Sequence, residues 1–229
     1  MDEFITIGSI VEVIGSLEHQ AGGIDLKGAK GIVRLYYEGE TEEETDEMLV
    51  EWTANTLKSF PEEYFTAVFD QEASWAAYVL PSNLVKRTDE ICDETELAWT
   101  KHDIFMRIFQ HEFGREGRLV SKVFSGNPDR KAMHPLNYWF NYLKTGLNWP
   151  IPCETCYPYE EGDGPLHEGD KVLLKGLNGI DNVLGILAEV QTSERKEIVV
   201  PLQDLNATEQ LSKNARILNA YGIWQICVA

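Results

Sequence analysis

The chain has 229 residues, of which 43% are hydrophobic and 10% aromatic, enough apolar material to bury a core and to exclude an intrinsically disordered protein. Lys and Arg number 20 against 38 Asp and Glu, and the net charge of −18 repels phosphate backbones and anionic membrane surfaces. Neither nucleic acid nor a membrane is therefore expected as a partner.

The opening Met1-Asp2-Glu3-Phe4-Ile5-Thr6 lacks the basic region and apolar run of a signal peptide, and no later stretch approaches about 18 apolar residues, so a cytoplasmic location is expected. The first third alternates like β structure. Ile10-Val11-Glu12-Val13-Ile14 ends at Gly15, Gly31 opens a second strand through Ile32 to Tyr37, and Met48 to Trp52 gives a third. Between the last two lies the acidic run from Glu38 to Glu47, which reads as a long solvated hairpin loop. Trp75 to Leu80 forms a further strand that Pro81 ends, because proline supplies no ladder donor, and Leu84-Val85 begins a short last one.

The period then changes. From Asp93 to Phe113 the apolar residues Leu97, Ile104, Phe105, Ile108 and Phe109 fall mostly at helical spacing, with Thr95 as cap and Gly114 as stop. Residues 97–131 are locally basic, with Lys101, Arg107, Arg115, Arg118, Lys122, Arg130 and Lys131. Leu136 to Leu147 predicts a second helix, and Thr208 to Leu218 a third.

Near the C-terminus the β order recurs. Gly169-Asp170-Lys171-Val172 mirrors Gly8-Ser9-Ile10-Val11, Gly185-Ile186-Leu187 mirrors Gly31-Ile32-Val33, and Val199-Val200-Pro201 to Leu205 mirrors Val79-Leu80-Pro81 to Leu84. The expected fold is mainly β with helical insertions (α+β): two small SH3-like five-stranded barrels joined by a helical segment. A generic antiparallel sandwich is the alternative. Residues 1–90 form the acidic barrel, 91–135 the helical linker, and 136–229 a helix, a barrel and a terminal helix.

Part of this second half resembles a known family. Tyr138-Trp139-Phe140-Asn141-Tyr142-Leu143, Leu147-Asn148-Trp149-Pro150-Ile151-Pro152, Pro165-Leu166-His167-Glu168-Gly169-Asp170-Lys171-Val172, Gly185, Val200-Pro201-Leu202-Gln203-Asp204-Leu205 and Tyr221-Gly222-Ile223-Trp224 are similar, in order and spacing, to the cyanobacterial calcium-binding protein family CcbP. The resemblance runs over roughly residues 136–224. It implies an acidic protein, without EF-hands, that binds calcium through surface carboxylates as a buffer or sensor.

Calcium takes six to eight oxygens, and the richest local supply is Glu154, Glu160, Glu161 and Asp163, with Asp170 and Asp181 on neighbouring loops expected to face the same edge. Glu161-Gly162-Asp163-Gly164 runs into Pro165 and lacks the twelve-residue EF-hand ladder, so affinity on the order of 10⁻⁴ M or weaker is expected. Cys153 and Cys156 form a C-x-x-C pair that, with His134 and His167 completing a tetrahedral set, offers zinc as the alternative metal; unligated, reduced loop thiols are the plain reading.

The remaining motifs point away from catalysis. His111-Glu112 lacks a second histidine four residues after the first, and no nucleophile elbow, phosphate loop or Ser-His-Asp set is evident, so no enzyme is expected. The rival function is a protein-interaction module, an inhibitor or immunity-type factor, in which Glu42, Glu43, Glu44, Asp46 and Glu47 dock a basic protein partner without metal.

Overall fold

The computed structural model describes residues 4–38, 45–125, 133–156, 166–181 and 183–228. The chain divides into two compact units, Met1–Lys101 and His102–Ala229, and the class is α+β.

In the first unit β1 (Ile10–Val13), β2 (Lys30–Tyr37), β3 (Glu47–Trp52), β4 (Ala77–Pro81) and β5 (Val85–Thr88) pair antiparallel in the order β4-β3-β2-β1-β5. Alternation puts Met48, Val50 and Leu80 on one buried face. Two helices without a predicted counterpart, α1 (Ala54–Ser59) and α2 (Glu62–Asp70), pack aromatic residues around that core. Thr53 caps α1 by accepting from the Thr56 N–H, and Phe65 of α2 meets Trp75 edge-on at 5.6 Å. α3 (Glu94–Ile104) is capped by Asp93, whose carboxylate accepts from the N–H groups of Thr95 and Glu96, rather than by Thr95.

The second unit departs from the single helix expected up to Phe113. A π-turn at Phe105–Phe109 follows α3, and Gly114, expected to stop a helix, instead opens α4 (Gly114–Phe124) with φ of +52°. α5 (Pro135–Gly146) starts on proline, whose missing N–H costs nothing at that position, and His134 caps it by accepting from the Leu136 N–H. β6 (Ile151–Thr155), β7 (Lys171–Asp181), β8 (Gly185–Thr192), β9 (Glu197–Pro201) and β10 (Leu205–Ala207) pair antiparallel in the order β10-β6-β7-β8-β9. α6 (Lys213–Val228) closes the unit, later and longer than the expected Thr208 to Leu218. Trp139 of α5 with Tyr221 and Trp224 of α6 forms its buried aromatic centre.

Both sheets share one strand order, with β6 in the place of β1 and β7 in the place of β2. The sequence mirror set Lys171-Val172 against Ile10-Val11 and so missed β6, whose Pro152 hides the strand pattern. Pro152 lies in the strand with its carbonyl accepting from the Thr208 N–H at 3.0 Å.

The expected closed barrels are also corrected, because each ladder ends in two edges, β4 and β5 in one sheet and β9 and β10 in the other. The edges are nonetheless joined by 3₁₀ turns of three residues, Ser82–Leu84 and Leu202–Asp204. Four strand spacings of about 4.8 Å would separate the edges of a flat sheet by about 19 Å. Such a turn spans only about 6 Å. Each sheet must therefore roll toward closure at that end, while its hydrogen-bond ladder stays open.

Candidate metal centre

β6 leaves the sheet at Thr155, and the chain returns through the buried Leu166 into a turn, His167 to Asp170, that feeds β7. Thr155 holds the two sides together. Its N–H donates to the Asp170 carbonyl at 3.1 Å, its carbonyl accepts from the Gly169 N–H at 2.9 Å, and its buried hydroxyl donates to the His167 carbonyl while accepting from the Asp170 N–H at 3.0 Å. Gly169, at φ +81°, supplies the left-handed residue that this turn requires. The Asp170 carboxylate accepts from the His167 N–H at 2.8 Å and so fixes the same turn.

Carboxylates gather around this stem. Burial raises the Cys156 thiol pKa, and the negative charges of Asp204, Glu168 and Glu154 raise it further. Cys156 is tied to the 3₁₀ turn after β9, its N–H donating to the Asp204 carbonyl at 2.9 Å and its thiol to the Gln203 carbonyl at 3.5 Å. Glu154 lies in β6, paired with Lys171 on one side and Asn206 on the other. Asp204 and Glu168 were not among the expected ligands; both stood in the motifs behind the family resemblance, and only folding sets them beside Cys156.

The remaining expected calcium ligands divide. Glu160, Glu161 and Asp163 lie outside the described residues. Asp181 is not brought to the stem: it ends β7, while Asp170 precedes it, and eleven strand residues put the two roughly 30 Å apart. The Asp181 carboxylate instead closes the β7–β8 turn, accepting from the N–H groups of Val183 and Leu184 at 2.8 Å, and these bonds hold its pKa below the usual carboxylate range. Among the described residues no three His, Cys, Asp or Glu side chains converge as a metal site.

The zinc alternative finds no support at this stem. Cys153 is buried in β6, and burial pushes its thiol up to about 12. Cys153, Cys156 and His167 do not form a ligand set, and all four cysteines are free thiols. His134 serves as a helix cap. His111 is exposed beside Glu112 at 2.9 Å, whereas His102 is buried and accepts from the Trp224 indole N–H at 3.1 Å.

Of the acidic hairpin, Glu42, Glu43 and Glu44 lie outside the described residues. Asp46 accepts from the Tyr36 hydroxyl at 2.6 Å, and Glu47 opens β3 opposite Tyr37. Within the basic stretch Lys101 is not available to a partner, being buried on Glu51 at 2.5 Å. Arg130 and Lys131 lie outside the described residues.

The stem and its sheet fall inside a segment with known relatives. Residues 129–225 match the model of the CcbP family, described as calcium binding. The CcbP-like region thus covers β6 to β10, α5 and most of α6. Among solved structures, the crystal structure of Anabaena CcbP is 13% identical, covering 46% of this chain and 82% of that one, with a TM-score of 0.36. A calcium-binding protein in its calcium-binding form is 15% identical, covering 49% of this chain and 89% of that one, with a TM-score of 0.37. No curated protein matches the chain.

Proposed function

We propose that this protein is a non-enzymatic, acidic calcium binder without EF-hands, acting inside the cell as a low-affinity buffer or sensor through its CcbP-like region. The observation that carries this reading is the match of residues 129–225 to a calcium-binding family. The chemistry of the stem agrees with a hard, oxygen-seeking cation, since Glu154, Glu168, Asp170 and Asp204 border it. Glu160, Glu161 and Asp163, on the segment that the stem carries, would supply the remaining carboxylates. The two rolled sheets are read as relatives of SH3-like barrels.

Calorimetric titration of metal-free protein with Ca²⁺ at about 0.1 M salt tests the reading, because screening suppresses diffuse attraction but spares chelation. Saturable heat for Ca²⁺ and little for Mg²⁺ is expected, and it should vanish when Glu160, Glu161 and Asp163 become Gln, Gln and Asn. Heat no greater than dilution would remove the calcium reading.

A further inference from the structure

The first sheet leaves part of its outer face open. Met48, Val50 and Leu80 turn inward, so the residues that alternate with them, Glu47, Leu49 and Val79, turn outward. One cross-strand row on that face is Leu35–Leu49–Val79, and the next is Tyr37–Glu47–Pro81. Leu35 is 47% exposed, Tyr37 48% and Val79 41%, although the neighbouring row at Glu51 is closed over by Lys101 of α3. An apolar row and a tyrosine-bearing row left uncovered beside a covered one have the composition of an interaction surface.

Charge and edge chemistry define the occupant. Glu47 lies in the patch itself, at the end of a run, 38–47, that carries seven acids and no base, whereas Asp46, which accepts from Tyr36, alternates to the other face. A second copy of this chain would set Glu47 against a surface of the same charge sign across a two-fold axis, which disfavours it. Strand addition at the β4 edge is also disfavoured. The Trp52 and Ser82 N–H groups donate across the β3–β4 ladder, to Ala76 and Asp46, so alternation turns the backbone of Ala77, Val79 and Pro81 outward. The Ala77 N–H is taken by the Ser74 hydroxyl and Pro81 has none, which blunts this edge.

We infer that the outer face of β2-β3-β4 is a docking surface for a basic protein segment that sets apolar side chains on Leu35, Tyr37, Leu49 and Val79 and its Lys or Arg against Glu47. The surface belongs to the first unit and needs no metal.

The probe is a synthetic peptide of about 12 residues alternating Lys with Leu and Val, compared with one alternating Lys with Ser, titrated at about 0.1 M salt. Saturable binding of the apolar peptide is expected, weakened about ten-fold by Leu35→Lys or Val79→Lys and about three-fold by Glu47→Gln. Leu35 and Val79 are exposed, so these variants should keep the circular dichroism and Tm of the parent. Equal binding of the Lys-Ser peptide, no saturable binding, or indifference to both Lys substitutions would overturn the proposal. So would a concentration-dependent dimer abolished by Val79→Lys, which would make a second copy the occupant.

Discussion

His19 shows how a buried side chain encodes a pH response. It is 1% exposed, its Nδ1 accepts from the Gly22 N–H at 3.0 Å, and its ring lies 4.3 Å from that of Tyr78 and 5.1 Å from that of Tyr64. Burial holds its pKa below the ordinary histidine value. A group whose folded pKa is depressed below an unfolded value of about 6.5 stabilises the fold above that pH and loses the contribution as pH falls through it. Stability of the first unit should therefore drop below about pH 6.5, by at most about 1.4 kcal/mol per pH unit for this one proton. Urea midpoints measured at successive pH values check this, and His19→Asn, which keeps an acceptor without titrating, should flatten that part of the profile. The ion cluster of the same unit makes a second prediction. Glu51 accepts from Lys101 at 2.5 Å and from Arg34 Nε at 2.6 Å, and Arg34 also reaches Glu94. Glu51 is 9% exposed, and Coulomb attraction to Lys101 and Arg34 outweighs burial to hold its carboxyl below the usual range. Glu51→Gln leaves the buried Lys101 without its counter-charge, so a loss of about 3–5 kcal/mol is expected in urea unfolding. A loss under about 1 kcal/mol would show that the cluster is solvated and contributes little.

At the scale of elements, α4 supplies a test whose sign separates propensity from packing. Gly117 lies inside this helix, where alanine would ordinarily gain about 1 kcal/mol. Here a Cβ would collide with the Gln110 carbonyl, backbone that cannot swing aside, so Gly117→Ala should instead lower stability by about 1–3 kcal/mol. A raised Tm would mean that the turn after the π segment does not approach α4 so closely. Such approaches explain which elements the sequence could announce. The strands of the first sheet were legible because Gly31 and Pro81 punctuate period-two runs, and the strand-proline-turn unit was legible twice. α4 was hidden behind Gly114, a residue that more often ends helices than starts them. β6 was hidden by Pro152, tolerated because the strand uses that residue's carbonyl rather than an N–H. The length of β7 was hidden by Gly176 and Gly179, where register shifts break the alternation, and this is why Asp170 and Asp181 seemed close enough to share an ion. Of the site, the carboxylates of 154–170 were visible as composition. The clasp by Thr155 and the approach of Asp204 were not, since both are contacts between strands that sequence order keeps apart.

For the whole molecule, uneven charge makes calcium chelation and general screening easy to confuse. Residues 1–96 hold 22 of the acids and only 6 of the bases, so added salt should relieve self-repulsion mostly outside the CcbP-like region. A bound ion acts differently: it stabilises the structure that holds it by RT ln(1 + [L]/Kd), a contribution that NaCl of equal ionic strength does not supply. With a dissociation constant on the order of 10⁻⁴ M, about 10 mM Ca²⁺ should add about 2.7 kcal/mol, and only to the unit that carries the site. Because the two units need not unfold together, one melting curve would blend them. Amide hydrogen exchange resolves them, and protection should rise in β6 to β10 and α6 while β1 to β5 respond no more than to NaCl of equal ionic strength. Mg²⁺, which keeps its waters more tightly, should act like NaCl. Protection rising in β1 to β5 instead would move the ion to the acidic hairpin of the first unit. A rise equal for all three salts would reduce the calcium response to screening.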